Sequence, residues 1–157
     1  MKPKLYLETT IPSYLTAWPS RDLIVAGHQQ VTEEWWRTRK SHFDIHISQL
    51  VLDEAADGDK AAAKERLAVL ADFPLLDVTD EAVALAAKLQ TPATLPPKAA
   101  KDAAHIAIAA VHGMHFLLTW NCTHINNAAI IADIERICSD QGFACPVICT
   151  PEELMRE

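Results

Sequence analysis

An α/β fold is predicted for this chain: a three-layer α/β/α sandwich around a central parallel sheet of four to five strands. Three observations predict it. Short apolar runs alternate with longer stretches of helical periodicity along the whole sequence, which is the pattern of a parallel sheet covered on both faces. The 157 residues match one ordinary domain, so residues 1–157 are read as a single unit. Half the residues are hydrophobic and glycine is scarce, a composition that folds and favours helices.

The elements follow in order. Lys4-Leu5-Tyr6-Leu7 is the first strand, and Glu8-Thr9-Thr10-Ile11-Pro12-Ser13 a polar turn opening into helix. Pro19-Ser20 starts a long helix with Asp22 in its first turn and Ile24, Gly27, Val31 and Trp35 at helical spacing, ending near Arg37, Arg39 and Lys40. Trp35 and Trp36 close it, one facing the core and the other exposed, where it would suit a protein partner. Asp44-Ile45-His46-Ile47 is the second strand, and Ser48 is placed to cap a helix carrying Asp53 and Glu54 that Gly58 ends. Residues 61–70 form a further helix, 75–78 a third strand, and Thr79-Asp80-Glu81 the acidic start of a helix reaching Gln90.

Residues 92–97 are a short proline-rich loop, too brief for a domain linker. After it come a helix over 99–111 with Asp102 in its first turn, a fourth strand over 115–119, an exit loop from Trp120 to His124, and a helix over 126–139. Pro146-Val147-Ile148-Cys149 is a fifth strand, and Pro151 takes the first position of a terminal helical turn.

Parallel sheets place their sites beyond the carboxyl ends of the strands. Glu8, Glu54, Asp102 and Asn121 all fall on that edge or on helices leaving it. Carboxylates held together repel one another unless cations or protons neutralise them, and Mg2+ or Mn2+ suits an all-oxygen set of Glu8, Asp102 and a more distant Glu54. Asn121 offers a carbonyl oxygen or a means of orienting water. Thr10 and Thr119 either hydrogen-bond the carboxylates or satisfy backbone.

Other signals carry less. His105, one turn past Asp102, either orients that acid or is a satisfied partly buried histidine. Cys122 and His124 lack the second pair that a zinc site needs, and Cys122, Cys138, Cys145 and Cys149 read as reduced packing thiols. No apolar run is long enough for a membrane span and no signal-peptide core opens the chain, so a cytoplasmic protein with no membrane association is expected. A net charge of −7 is the wrong sign for blanketing nucleic-acid phosphates, so any such substrate would need metal ions to bring positive charge. The chain does not show the phosphorylatable aspartate at the end of a middle strand, or the lysine on a later strand end, that a phosphotransfer receiver domain needs.

The segments Tyr6-Leu7-Glu8-Thr9-Thr10, Leu50-Val51-Leu52-Asp53-Glu54, Lys101-Asp102-Ala103-Ala104-His105-Ile106-Ala107 and Leu117-Leu118-Thr119-Trp120-Asn121 together resemble the PIN domain family, in particular VapC-like ribonuclease toxins of toxin–antitoxin pairs. The resemblance spans nearly the whole chain. It implies metal-dependent hydrolysis of RNA phosphodiester bonds by water, a homodimer, and a small cognate antitoxin. It puts Glu8, Glu54 and Asp102 on Mg2+ or Mn2+, with Asn121 and Thr119 arranging water. Lys98 and Lys101 flank this site as candidate phosphate contacts. Two departures stand out: Glu8 replaces the family's usual first aspartate, and Asn121 its fourth acid. The second departure supports the alternative of a catalytically weak PIN-like module that binds RNA or protein.

Overall fold

The computed structural model describes residues 1–156. Five strands form one all-parallel sheet in the order β3-β2-β1-β4-β5, with seven α-helices among the described residues packed around it. The strands are β1 (Lys4–Leu7), β2 (Asp44–Ser48), β3 (Leu75–Leu76), β4 (Phe116–Leu118) and β5 (Val147–Cys149). The helices are α1 (Thr10–Thr16), α2 (Leu23–Thr38), α3 (Gln49–Ala55), α4 (Lys60–Leu70), α5 (Asp80–Leu89), α6 (Ala100–Val111) and α7 (Ile131–Asp140). The expected sandwich is therefore present, with all five strands parallel. No helix among the described residues is long and apolar enough to cross a membrane.

The central strand shows why the sheet must be covered twice. Leu5, Tyr6 and Leu7 are all fully buried, which a strand with one wet face cannot achieve. Tyr6 pairs with His46 on one side and Leu117 on the other. The chain runs outward through β2 and β3, then returns to build β4 and β5 on the opposite flank of β1. Connections leave β1 and β4 in opposite directions, which opens a crevice at their carboxyl ends, the switch point where doubly wound sheets bind ligands. Glu8 and Thr119 are the residues immediately beyond those two strand ends.

Several boundaries shift for local reasons. Asp22 sits before α2 as its N-cap, its carboxylate accepting from the N–H groups of Ile24 and Val25 at 2.9 and 3.0 Å. Ile24 consequently faces solvent at 71% exposure, and the apolar stripe of α2 narrows to Val31 and Trp35. Ser48 occupies the N-cap position of α3 without capping it; its hydroxyl bonds the Tyr6 phenol at 2.7 Å instead. β3 ends at Leu76, and the Asp77 carbonyl accepts from His112 Nε2 at 2.7 Å, drawing Val78 out of the sheet. α7 starts at Ile131, five residues later than the periodicity predicts. The Asn127 side chain accepts from the Ala129 N–H at 2.9 Å, a local turn that holds residues 127–130 out of the helix.

Trp35 is fully buried, whereas Trp36 packs edge-on against Phe73 with the Lys40 ammonium 4.4 Å above its ring. The tryptophan that stands in solvent is Trp18, 92% exposed beside the exposed Leu23 and Ile24 in the α1–α2 connection. The four cysteines are free thiols, and only Cys122 is exposed.

Candidate metal centre

Glu8 is the first residue past β1 and only 4% exposed. A carboxylate there survives because one of its oxygens is saturated with donors. Oε1 accepts from the Thr10 backbone N–H at 3.0 Å, the Thr10 hydroxyl at 2.5 Å and the Thr119 hydroxyl at 2.7 Å. Hydrogen bonds to an ionised group are worth about 1.5–3 kcal/mol each, enough to offset much of the desolvation. Thr10 and Thr119 are thus carboxylate partners, and each also accepts a backbone N–H: Thr10 from Trp120 at 2.8 Å, Thr119 from Asn121 at 2.9 Å.

Glu54, near the end of α3, is held in the same manner. Its Oε1 accepts from the Thr9 hydroxyl at 2.7 Å and meets His105 Nε2 at 2.5 Å, with the carboxylate side chain 22% exposed and the imidazole fully buried. Burial pushes the Glu54 carboxyl up, yet the His105 hydrogen bond and charge, the Thr9 hydroxyl and the Lys101 ammonium outweigh it, so the net shift is downward and the group is a carboxylate near neutral pH. All these bonds fall on Oε1 of both glutamates, which leaves each Oε2 to act as a monodentate ligand.

Glu8, Glu54 and His105 each offer one ligand-capable atom within 4.8 Å of the other two. Chemistry separates this set. A carboxylate only accepts, so the nitrogen of His105 that meets Glu54 must carry a proton, and in that arrangement the ring is a donor rather than a metal ligand. The oxygen atoms of the two glutamates are what remains for a cation. The donor set therefore fits a hard ion such as Mg2+ or Mn2+, which keeps several waters and needs few protein carboxylates.

Asp102, in the first turn of α6, stands outside the 4.8 Å group but within its field. Burial raises its carboxyl above the usual range; the nearby His105 and His124 pull it down, while Glu8 and Glu54 push it further up. A cation between the three acids would reverse that push. Glu54 lies closer to Glu8 than expected, with ligand atoms of Glu8, Glu54 and His105 within 4.8 Å of one another.

Asn121 orients Asp102. Its Nδ2 donates to Asp102 Oδ1 at 3.1 Å, while its own Oδ1 accepts from the Thr123 and His124 N–H groups at 3.2 and 3.0 Å. That carbonyl is already engaged in shaping the loop, which leaves orienting a water through Nδ2 as the expected role that the geometry suits better. The loop is fixed from behind by Trp120, whose indole N–H donates to the buried Thr32 hydroxyl at 2.8 Å and whose ring stacks on His28 at 4.0 Å and on Tyr14 at 5.9 Å.

His105 bonds Glu54 rather than orienting Asp102. Lys101 is exposed and close enough to act on Glu54, whereas Lys98 lies exposed in the short 3-10 turn that leads into α6. From sequence Ser48 is expected only as a helix cap, and Thr9 and Tyr6 have no assigned role at the site. One signal was available: a tyrosine in the middle of a four-residue apolar strand brings a hydroxyl that burial obliges to find a partner.

Fold and site together define a class: a doubly wound parallel α/β domain with hydroxyl-braced carboxylates at its switch point. Neither a protein-family model nor a curated protein matches the chain.

Proposed function

We propose that the protein is a PIN-type endoribonuclease that hydrolyses RNA phosphodiester bonds with Mg2+ or Mn2+, and that it serves as the toxin of a toxin–antitoxin pair. The observation that carries this reading is the pairing of Glu8 and Glu54 at the β1/β4 switch point, each with Oε1 saturated and Oε2 left to a ligand. Magnesium or manganese, when bound, would supply the positive charge that a chain of net charge −7 lacks and would acidify an attacking water.

The chain's own residues do the rest. Glu8 and Glu54 hold the ion, braced by Thr10 and Thr119 on one side and by Thr9 and His105 on the other. Asp102, turned by Asn121, would add a third carboxylate to that ion. Lys101, one residue before Asp102, offers a cation to the substrate phosphate, with Lys98 a second contact further out. The exposed Trp18, Leu23 and Ile24 provide an apolar strip of the kind a small antitoxin would cover, and a homodimer would join two acidic centres along one RNA groove.

A second reading is favoured by Asn121. It stands where a fourth acid would complete a two-ion site and is consumed by loop contacts, so a domain that binds RNA or protein and cleaves poorly is the alternative. The experiment that decides is cleavage of a mixed RNA pool by purified protein with Mg2+, Mn2+ or EDTA, beside Asp102→Asn. Metal-dependent cutting that the variant loses is expected. RNA binding without cutting by folded, antitoxin-free wild type would favour the binding module.

A further inference from the structure

We propose that Tyr6 and His105 are positioning residues for Glu54, linked with Ser48 in a continuous buried hydrogen-bonded chain that fixes the plane of the imidazole and so presents Glu54 to a divalent cation. The proposal rests on the reading of Glu8 and Glu54 as metal-holding groups. Its geometry is continuous: Ser48 Oγ lies 2.7 Å from the Tyr6 phenol oxygen, that oxygen 2.7 Å from His105 Nδ1, and His105 Nε2 2.5 Å from Glu54 Oε1. Ser48, Tyr6 and His105 are all fully buried.

Glu54 can only accept, so Nε2 carries a hydrogen. Nδ1 on the far edge of the ring is hydrogen-bonded to the Tyr6 hydroxyl, and that hydroxyl to Ser48, so the imidazole is held from both edges. Burial pushes the phenol's own ionisation far above its ordinary value, so Tyr6 keeps its hydrogen.

A phenylalanine would fill the same space in β1 without a polar atom to satisfy. A hydroxyl buried without a partner is costly, so a strand core does not carry one for packing alone. What the phenol adds is a hold on the far edge of the ring, which keeps the imidazole in the plane where Nε2 meets Glu54 Oε1. Thr9 also holds Oε1, but it is a freely rotating hydroxyl, whereas the ring fixes a plane. Partners of this second layer typically change metal affinity about 10–100-fold.

The test is Mn2+ binding measured by calorimetry and by electron paramagnetic resonance, without RNA, on wild type, Glu54→Gln, Tyr6→Phe, His105→Gln and the Tyr6→Phe/His105→Gln double variant. Wild type is expected to bind Mn2+ and Glu54→Gln to lose most of that affinity. Tyr6→Phe is expected to weaken binding on the order of ten-fold. His105→Gln removes the ring that Tyr6 holds, so it should weaken Mn2+ binding at least as far as Tyr6→Phe, and Tyr6→Phe should cost less than about two-fold further in its background. A purely structural tyrosine would lower the melting temperature equally in both backgrounds and leave the Mn2+ constant unmoved. Equal affinity of wild type and Tyr6→Phe, with Glu54→Gln still impaired, overturns this proposal and leaves the metal reading intact. Failure of wild type to bind Mn2+ overturns both. Should Tyr6→Phe not fold, Ser48→Ala probes the far end of the chain, with a smaller loss expected and none overturning the proposal.

Discussion

Thr119→Val removes one hydroxyl from the centre of the site while keeping the shape of the side chain. Thr119 is fully buried, donates to Glu8 Oε1 at 2.7 Å and accepts the Asn121 N–H at 2.9 Å. Losing a hydrogen bond to a carboxylate costs about 1.5–3 kcal/mol, and the orphaned N–H adds about 1 kcal/mol, so the variant should lose roughly 2.5–4 kcal/mol. A domain of this size has about 5–15 kcal/mol in all, so the effect is large. Urea unfolding measures it: with a slope of roughly 2 kcal/mol/M the midpoint should fall by about 1–2 M. Thr119→Ser keeps the hydroxyl and should fall much less. In a Glu8→Gln background the bond is no longer to a charge, so Thr119→Val should cost at least about 1 kcal/mol less than in wild type. A midpoint shift under about 0.25 M, or the same cost in both backgrounds, would refute the claim that this hydroxyl stabilises a buried carboxylate.

Three further outcomes follow from the same geometry. Asp102→Asn should raise the metal-free melting temperature at pH 7, because the folded protein holds that carboxyl above its ordinary range and the neutral amide escapes the cost. It should also abolish the stabilisation by Mn2+, which in wild type at a hundred-fold excess over the dissociation constant is about 2.7 kcal/mol, roughly 5–11 °C. Calorimetric scans with and without Mn2+ check both halves, and a metal shift retained by the variant removes Asp102 from the site. Glu54 is shifted the other way, so its contribution to stability is present above the unfolded value near pH 4.3 and disappears as the pH falls through the lower folded value. The stability gap between wild type and Glu54→Gln should therefore close below about pH 4 in a urea series from pH 7 to 3, and a gap independent of pH contradicts the assignment. Among the thiols, burial pushes Cys149 up to about 12, so at pH 8 about one molecule in ten thousand carries its thiolate, whereas Cys122 is exposed. Iodoacetamide on the native protein should label Cys122 well ahead of Cys149 by peptide mass mapping; comparable rates would show that β5 opens readily.

The sheet was legible because its signals are local. Lys4–Leu7 reads as a strand from four residues and is one, and the acids at strand and helix ends can be located by counting. What could not be read was which acids meet. The interval from Glu8 to Glu54 and that from Glu8 to Asp102 say nothing of distance once α3 and α6 have packed, nor that Thr9 and His105 would hold Glu54 and Asn121 would hold Asp102. The misread caps have a common cause. A short polar side chain such as Ser48 serves a nearby backbone or a distant hydroxyl equally well, and only the assembled structure decides. The late start of α7 is similar, since a turn built by Asn127 leaves the apolar periodicity of residues 126–139 unchanged.

The bonds that brace the two glutamates join residues far apart along the chain: Thr119 to Glu8 across 111 positions, His105 to Glu54 across 51, Thr9 to Glu54 across 45. No contiguous fragment shorter than the stretch from Glu8 to Thr119 contains the whole arrangement. During synthesis on a ribosome the amino-terminal acids emerge first and stay without their braces until β4 has left the exit tunnel and docked beside β1. A cation at this site would therefore be captured late, and a nascent chain stalled before that point carries the acidic residues but not the arrangement they form.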